Sequence, residues 1–275
     1  PQNKAMKHKK NTLTLEQLNR QKKIKELRKR RHASYTLNAQ KDEKKQQKWY
    51  HLALPILLLL LGLSLIFHQP IKNFLLTQMS NQYSIAQVTP EEIEANQTNE
   101  ASYDFNAVES VDFKSVINAR LNPEQVSIVG GIAIPTVNLN LPILLGLSNY
   151  AVMVGAGTMK EEQKMGENNY ALASHHMIQP EKLFGPLTEI TLGDKIYLTD
   201  LNYIYTYKTT YKEYVPPNRI DLIDDVPNEK LVTLVTCDAT GANRLVVQGQ
   251  LLHKTSQEKA SQQMIEAFDI ETTTY

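Results

Sequence analysis

The sequence predicts a mostly-β domain preceded by a single N-terminal transmembrane helix. Eight short runs of β-branched and aromatic residues follow one another from residue 126 onward without long helices between them, which is typical of an antiparallel barrel or sandwich. Leu52–Phe67 is a run of 16 residues without a charge, apolar on every helical face. The charges are sorted about this run, although the formal net charge is only +1. Together these observations predict a membrane protein with two differently exposed ends.

The charge distribution predicts the orientation of the membrane helix. Residues 1–48 contain 16 Lys and Arg against 4 Asp and Glu, whereas the chain from His68 onward contains 14 basic and 25 acidic residues. Because Lys and Arg are enriched on the cytoplasmic side, we expect residues 1–48 in the cytoplasm, residues 49–69 as a single-pass anchor in the cell membrane, and the rest outside. A cleaved signal peptide fits less well, since the basic lead is long and no Ala-x-Ala site follows Phe67.

The basic cluster between Lys22 and Arg31 predicts contact with anionic membrane lipids. Interleaved polar residues and the adjacent span favour lipid headgroups over nucleic acid, and we expect no nucleic-acid partner. Residues 70–104 are polar and acidic and predict an extracellular stalk, which leaves residues 105–275 as the folded domain. Val108–Leu121 has helical spacing and ends at Asn122-Pro123.

Within that domain the apolar runs predict the strands. A terminal helix is expected at Ser256–Phe268, and Gly155-Ala-Gly157 is interpreted as a turn because it lacks the following helix and lysine of a phosphate loop. The predicted strands are Val126–Val129, Gly131–Ile134, Ala151–Val154, Tyr170–Ser174, Lys195–Thr199, Tyr203–Tyr207, Leu231–Thr236 and Asn243–Gln250.

Cys237 is the only cysteine, so the chain holds no internal disulfide and no Cys-based zinc cluster. It ends an apolar strand and precedes the turn-like Asp238-Ala-Thr-Gly241. A lone cysteine is often a small buried hydrophobe, but an unpaired thiol on the exterior is exposed to oxidation and needs an explanation. We therefore keep two hypotheses open, a packing residue and a nucleophile.

A nucleophilic cysteine requires a base or cation beside it. His175 and His176 follow the apolar strand before them, so either can lie beside Cys237 at one barrel rim. Neighbouring side chains of an extended chain point to opposite faces, which makes a shared metal ion between the two histidines unfavourable. Arg244 begins the next strand and can return beside Cys237, where a guanidinium suits an oxyanion or a substrate clamp. An exposed strand-edge arginine is the alternative.

These motifs resemble those of the sortases. Thr233-Leu-Val-Thr-Cys237 with Arg244 on the following strand is similar to the sortase Thr-Leu-x-Thr-Cys motif and arginine. Ala173-Ser-His175 before a second histidine is similar to the histidine motif, most closely of streptococcal class A members. Gly130-Gly-Ile-Ala-Ile-Pro135 and the anchor match as well, and the likeness covers about residues 105–275.

The resemblance implies an eight-stranded, closed, sortase-type β-barrel with short helices. It implies a cysteine transpeptidase that cleaves a Leu-Pro-x-Thr-Gly signal between Thr and Gly and joins the surface protein to the amine of a lipid II-type peptidoglycan precursor. Cys237 would form a thioester, His175 would move the proton, and Arg244 would hold the substrate and the oxyanion. Residues matching the substrate groove are Thr236, Val235, Ala173, Val215 and Pro216.

Two alternatives to a transpeptidase stay open from the sequence. A hydrolase would end the same thioester with water, and an anchored β-barrel binding module would use Cys237 only for packing. Glu161, Glu162 and Glu167 are of a type that binds calcium, but acids in an exterior loop are more often solvated. The short Cys237–Arg244 connection also resembles streptococcal rather than staphylococcal members, and we expect no metal and no cofactor.

Overall fold

The computed structural model describes residues 15–80, 82–104, 112–122, 125–176, 181–238, 240–269 and 273. Val108 and Val111 of the predicted helix lie outside these residues. The chain divides into two compact units, Pro1–Phe67 and His68–Tyr275. The boundaries predicted from the sequence at residues 48, 69 and 104 remain predictions.

Helix α1 (Leu15–Ser80) contains the apolar run. His51–Leu76, with a mean hydropathy of 2.1, is long and apolar enough to cross a membrane, judged by length and composition, and it is the one such segment in the described part of the chain. Leu57, Leu59 and Leu61 are each more than half exposed, as expected of a helix whose solvent is lipid.

Eight strands close into a barrel, which confirms the predicted fold class. The order around the barrel is β1-β2-β3-β4-β7-β8-β6-β5, with β5 returning to β1. The β2–β3 and β4–β7 pairs are parallel and the others antiparallel, so the barrel is mixed. The strands are β1 (Ile128–Ile134), β2 (Leu139–Leu144), β3 (Ala156–Thr158), β4 (Asn169–Ala173), β5 (Lys195–Thr199), β6 (Tyr203–Val215), β7 (Leu231–Cys237) and β8 (Arg244–Ser256).

The eight observed strands are not the eight that the sequence predicts. Two predicted strands at residues 126–134 are one strand, β1, and the predicted strand Ala151–Val154 lies in helix α4 (Asn149–Val154). The Ser148 hydroxyl accepts a hydrogen bond from Ala151 N (3.2 Å), and this N-cap starts a helix where the apolar run alone reads as a strand. Strands β2 and β3 are absent from the prediction, and the supposed Gly155–Gly157 turn enters β3.

The polar segment before the barrel contains local helical structure and packs against β1. Helix α2 (Pro90–Asn96) begins with a capping box in which Thr89 and Glu92 exchange hydrogen bonds. Ile93 is 2% exposed and belongs to a cluster with Ile128, and Asn96 Nδ2 donates to the Ile128 carbonyl (2.9 Å). Part of the segment predicted as a stalk therefore covers the barrel.

Two further helices flank the barrel. Asp112 caps the start of helix α3 (Phe113–Leu121). The helix ends at Leu121, just before Asn122, where the sequence predicts its end. Helix α5 (Gln262–Asp269) is shorter than the predicted terminal helix, because β8 continues through Ser256 and Gln257–Lys259 forms a separate 3-10 turn. Ala267 of α5 packs with Tyr197 and Ile204 on the barrel.

The barrel interior is filled by aliphatic and aromatic side chains from all its strands except the shortest, which contributes only an alanine. Leu172 of β4, Leu234 of β7 and Leu245 of β8 are all fully buried in this core. Because side chains alternate along a strand, the residues next to each of these three point to the outer face. This alternation decides which side of the barrel carries the candidate site.

Candidate active site

Cys237 and Arg244 are the last pair of the β7–β8 hairpin. Cys237 ends β7, Arg244 begins β8, and the two are antiparallel partners. Directly opposite residues of an antiparallel pair project to the same face with Cβ atoms about 5 Å apart. The thiol-bearing and guanidinium-bearing side chains are therefore neighbours on the outer face of the rim, and both residues are half-buried.

The connection between them is organised by Asp238. Its carboxylate accepts hydrogen bonds from the backbone and hydroxyl of Thr240 (3.0 and 2.8 Å) and from the backbone and side-chain amides of Asn243 (3.2 and 3.0 Å). These bonds, the Thr240 hydroxyl first, lower the pKa of Asp238. Arg244 Nη1 in turn donates to the carbonyls of Gly241 and Asn243 (both 3.1 Å), so this turn also holds the guanidinium.

His175 reaches the same rim from strand β4. The parallel β4–β7 ladder pairs Ala173 with Val235, and one step further Thr236 Oγ1 donates to the Ser174 carbonyl (2.8 Å). Continued by one more residue, this register would bring His175 to the level of Cys237. The His175 carbonyl also accepts a hydrogen bond from Phe184 N (3.3 Å), which anchors the chain after β4.

Burial determines the charge of His175. Its Nε2 atom is buried and has no hydrogen-bond partner among the described residues. Burial lowers the pKa of His175 to about 4, because the imidazolium loses solvation that no described carboxylate replaces. The imidazole is therefore neutral at pH 7 and can accept a proton from an adjacent thiol or pass one to a leaving group.

His176 has different neighbours from His175. It forms an isolated antiparallel bridge with Leu183, and its Nδ1 atom is buried without a hydrogen-bond partner among the described residues. Across the described residues, no group of three or more His, Cys, Asp and Glu side chains is arranged to hold a metal ion.

Two apolar clusters lie on the barrel and include three of the residues predicted to line the substrate groove, Ala173, Val215 and Val235. Val235 packs with Val215 and Val246, while Ala173 belongs to a neighbouring cluster. Met159, which follows β3, contacts both clusters and joins them. Val215 is the antiparallel partner of Arg244, so the cluster that contains Val215 begins next to Arg244 on the neighbouring strand.

The remaining predicted groove residues have different environments. Pro216 is exposed at the start of the β6–β7 connection. Thr236 is 2% exposed and alternates with Cys237 and Val235, so its side chain points away from the groove, and its hydroxyl bonds β7 to the carbonyl of Ser174. The sequence did not predict four further residues of the cluster around Val235, which are Met159, Val246, Leu222 and Ile223. Only Val246 carries a signal in the sequence, because it follows Arg244 in the same strand.

The acidic residues weighed as calcium ligands lie elsewhere. Glu161, Glu162 and Glu167 line a polar concavity of about 1100 Å³ together with Lys160 and Lys164, and none of the candidate residues above lines it. His253 lies within β8, toward the strand end far from Arg244.

The family model described as "Sortase domain" matches residues 132–252. The chain is 41% identical over 221 residues to "Sortase A" of Streptococcus agalactiae serotype III (strain NEM316), an alignment that covers 78% of this chain and 90% of that protein. The chain belongs to the sortase family. "Sortase A" of Listeria monocytogenes serovar 1/2a (strain ATCC BAA-679 / EGD-e) is 37% identical over 198 residues, covering 71% of this chain and 89% of that protein.

A solved sortase shares the architecture at much lower identity. Sortase C-3 from Streptococcus pneumoniae aligns with a TM-score of 0.50 and 17% identity over 72% of this chain and 97% of its own. This likeness concerns the fold. The relatives at 37% and 41% identity identify the sortase as a cysteine transpeptidase that anchors surface proteins.

Proposed function

We propose that this sortase is of the A type: it cleaves a Leu-Pro-x-Thr-Gly signal between Thr and Gly and joins the new Thr carboxyl end to the amine of a lipid II-type peptidoglycan precursor. The observation that carries this proposal is the pairing of Cys237 with Arg244 on β7 and β8, and the β4–β7 register, which leads toward His175 on the other side of Cys237, supports it. A nucleophile, a proton carrier and a permanent cation then share one edge.

Two acyl-transfer steps follow from this arrangement. The Cys237 sulfur attacks the Thr carbonyl carbon while the thiol proton passes to the neutral imidazole of His175. The Thr–Gly C–N bond then breaks, the nitrogen takes the proton from His175, and a thioester remains on Cys237. The precursor amine attacks the thioester carbon, gives its proton to His175 and releases Cys237, which regains a proton.

Arg244 acts on the developing charge in both steps. Its guanidinium is held by two carbonyls of the β7–β8 turn, and its N–H groups are of the type that donates to a tetrahedral oxyanion or to a peptide carbonyl. Because the donor is ordered before the substrate arrives, little reorganisation is needed in the transition state.

The apolar groove supports a role in binding the Leu-Pro part of the signal. Val215, Val235 and Ala173 provide a buried aliphatic floor, and Pro216 extends it at the rim. Thr236 contributes indirectly, through the bond that holds β7 against the strand of His175.

Membrane attachment would place the barrel where surface proteins emerge. The apolar segment His51–Leu76 supports a single-pass anchor, and the basic residues before it support a cytoplasmic N-terminus in contact with anionic lipids. The barrel would then lie outside the cell, together with its precursor substrate.

The test is incubation of the full chain in detergent with a Leu-Pro-x-Thr-Gly peptide, with and without an amine nucleophile, followed by mass spectrometry. We expect a thioester on Cys237, cleavage between Thr and Gly, and a joined product when the amine is present. Cys237→Ala is the control without a nucleophile. Cleavage that is indifferent to the amine would support the hydrolase instead, and no adduct and no cleavage would contradict the proposed substrate.

A further inference from the structure

Three polar side chains, the buried Asn169 and Thr233 and the half-buried Gln248, form a hydrogen-bonded group on the outer face of the barrel. Thr233 Oγ1 donates to Asn169 Oδ1 (2.6 Å), and Gln248 Nε2 donates to Thr233 Oγ1 (3.1 Å). Asn169 is 1% and Thr233 0% exposed. They come from β4, β7 and β8, the same three strands that lead to His175, Cys237 and Arg244. We call Asn169, Thr233 and Gln248 the polar triad.

The polar triad binds the β6–β7 connection, residues 216–230. The Leu222 carbonyl accepts hydrogen bonds from Asn169 Nδ2 (2.9 Å) and Gln248 Nε2 (3.0 Å), and Thr233 Oγ1 lies 3.4 Å from it. Asn169 Nδ2 also donates to the Asp224 carbonyl (2.9 Å). The connection is thus held through its backbone at two positions by side chains of the barrel wall.

A carboxylate adds a second attachment next to the first. Asp225 Oδ1 accepts a hydrogen bond from the Asn169 backbone N–H (3.2 Å) and forms a salt bridge with Lys160. Lys160 follows Met159, the residue that joins the two apolar clusters of the groove. The ion pair is largely exposed on the Asp225 side and contributes little by itself, so the buried polar triad carries most of the attachment.

The attached part of the connection is also the part that packs against the apolar cluster of the predicted groove residues. Leu222 and Ile223 pack against the cluster of Val215, Val235 and Val246 while the Leu222 carbonyl is bound by the polar triad. A buried amide or hydroxyl that loses its partner costs about 1–3 kcal/mol, so the arrangement strongly favours one position of the connection. The same contacts therefore determine where the apolar wall of the groove stands.

We propose that Asn169, Thr233 and Gln248 are positioning residues that hold the β6–β7 connection as a wall of the substrate groove. They set the affinity for the apolar part of the peptide and do not touch the reacting atoms. This proposal rests on the proposed function for its substrate, and it gives a physical role to Thr233, the first residue of the Thr-Leu-x-Thr-Cys motif.

Thr233→Val is the variant that tests it, because valine keeps the shape of threonine and removes the hydroxyl at the centre of the triad. Thr206→Val is the matched control: Thr206 is 0% exposed, and its hydroxyl has no hydrogen-bond partner among the described residues. Thr233→Ser restores the hydroxyl. Each full-length variant is assayed in detergent with the Leu-Pro-x-Thr-Gly peptide. Cys237 is separately alkylated with iodoacetamide, a small reagent whose reaction with the thiol does not depend on peptide binding.

We expect Thr233→Val to raise KM about five- to tenfold with kcat changed less than twofold. The alkylation rate should stay unchanged, Thr233→Ser should recover most of the affinity, and Thr206→Val should behave as the wild type. An unchanged KM in Thr233→Val, an equal change in Thr206→Val, or a parallel fall in kcat and alkylation would overturn the proposal.

Hydrogen exchange separates this proposal from the proposed function. The amides of residues 219–225 should exchange faster in Thr233→Val than in the wild type and Thr206→Val, whether or not the peptide is a substrate. If the wild type does not process the peptide, the proposed function fails and exchange still decides the positioning role. Unchanged exchange in this segment would contradict it.

Discussion

Cys237 and Arg244 are antiparallel partners at the open end of one hairpin, joined by a turn that Asp238 organises. Because a ladder pair shares one face, the backbone pairing holds the Cβ atoms of the two residues close together, and the Gly241 and Asn243 carbonyls hold the guanidinium at the end of its side chain. His175, the proposed third member, lies two residues beyond β4, whose parallel pairing with β7 ends at Ala173 and Val235. The site is therefore as rigid as the barrel edge that bears it.

Arg244→Ala is expected to lower kcat/KM for the peptide about 100- to 1000-fold, since it removes the proposed oxyanion donor. The barrel should stay folded, because the residue is only half-buried at a strand end. Arg120→Ala, which changes an exposed arginine of α3, serves as control. Steady-state kinetics with the peptide and circular dichroism measure the two effects, and a loss below tenfold would argue against the assigned role.

Asp238→Ala should weaken turnover without abolishing it. The substitution removes four hydrogen bonds of the turn, so the Gly241 and Asn243 carbonyls no longer hold Arg244 in one place. We expect kcat/KM to fall about five- to twentyfold, at a cost of about 1–2 kcal/mol in transition-state stabilisation.

Asp194→Ala is the matched control for that change, because Asp194 also holds a turn through Thr191 but lies outside the groove. Peptide kinetics for both variants decide the matter. Equal losses in the two would mean that Asp238 matters only for general stability.

His175→Ala should lose peptide cleavage and thioester formation, whereas His176→Ala should retain substantial activity. Continued beyond Ser174, the β4–β7 register would bring His175 beside Cys237, and the alternation of side chains would then turn His176 to the opposite face. Mass spectrometry of Cys237 after incubation with the peptide gives the readout. The reverse pattern, with activity in His175→Ala and loss in His176→Ala, would show that His176 carries the proton.

Acid should destabilise the protein through His175. Its pKa is about 4 in the folded state and about 6.5 when unfolded, so between these values the unfolded chain binds more protons and stability falls as the pH falls. The effect is at most about 3 kcal/mol and is complete near pH 4. His175→Gln should lose less stability than the wild type between pH 7 and pH 4.5.

The measurement is denaturant unfolding of both full-length proteins in detergent at several pH values, followed by circular dichroism. Identical pH slopes for His175→Gln and the wild type would mean that the imidazole is not buried in its neutral form. Because the carboxylates titrate in the same way in both proteins, the difference between the two pH slopes reports the titration of His175 alone.

Gly130→Ala should destabilise the barrel by about 1–3 kcal/mol, whereas Gly131→Ala should cost far less. A Cβ on Gly130 would lie 2.6 Å from the backbone oxygen of Thr199 on β5, but on Gly131 its nearest neighbour is Ile85 Cγ1 at 3.4 Å. Unfolding midpoints of the two variants test this difference. Equal midpoints would show that β1 and β5 can separate locally.

Local signals in the sequence predicted most of the barrel but assigned some elements wrongly. The alternating runs of β5, β6, β7 and β8 were found because each carries its own pattern. Ala151–Val154 was predicted as a strand because its apolar run outweighed the Ser148 cap. β2 contains Pro142, which interrupts a strand pattern, and β3 has only three residues, so both exist mainly through pairing with neighbours distant in sequence.

The sequence by itself determined the apolar segment, its basic flank, the motif around Cys237 and the family resemblance that marks His175 and Arg244. These are properties of residue type and spacing along the chain. Only the tertiary structure decided that β4 and β7 run parallel, that the outer face carries the groove, and that Asn169, Thr233 and Gln248 meet at the Leu222 carbonyl. The physical reason is that strand pairing and burial depend on contacts between residues far apart in the chain. The pattern of a single strand shows which of its residues share a face, but it does not show which neighbour will cover that face.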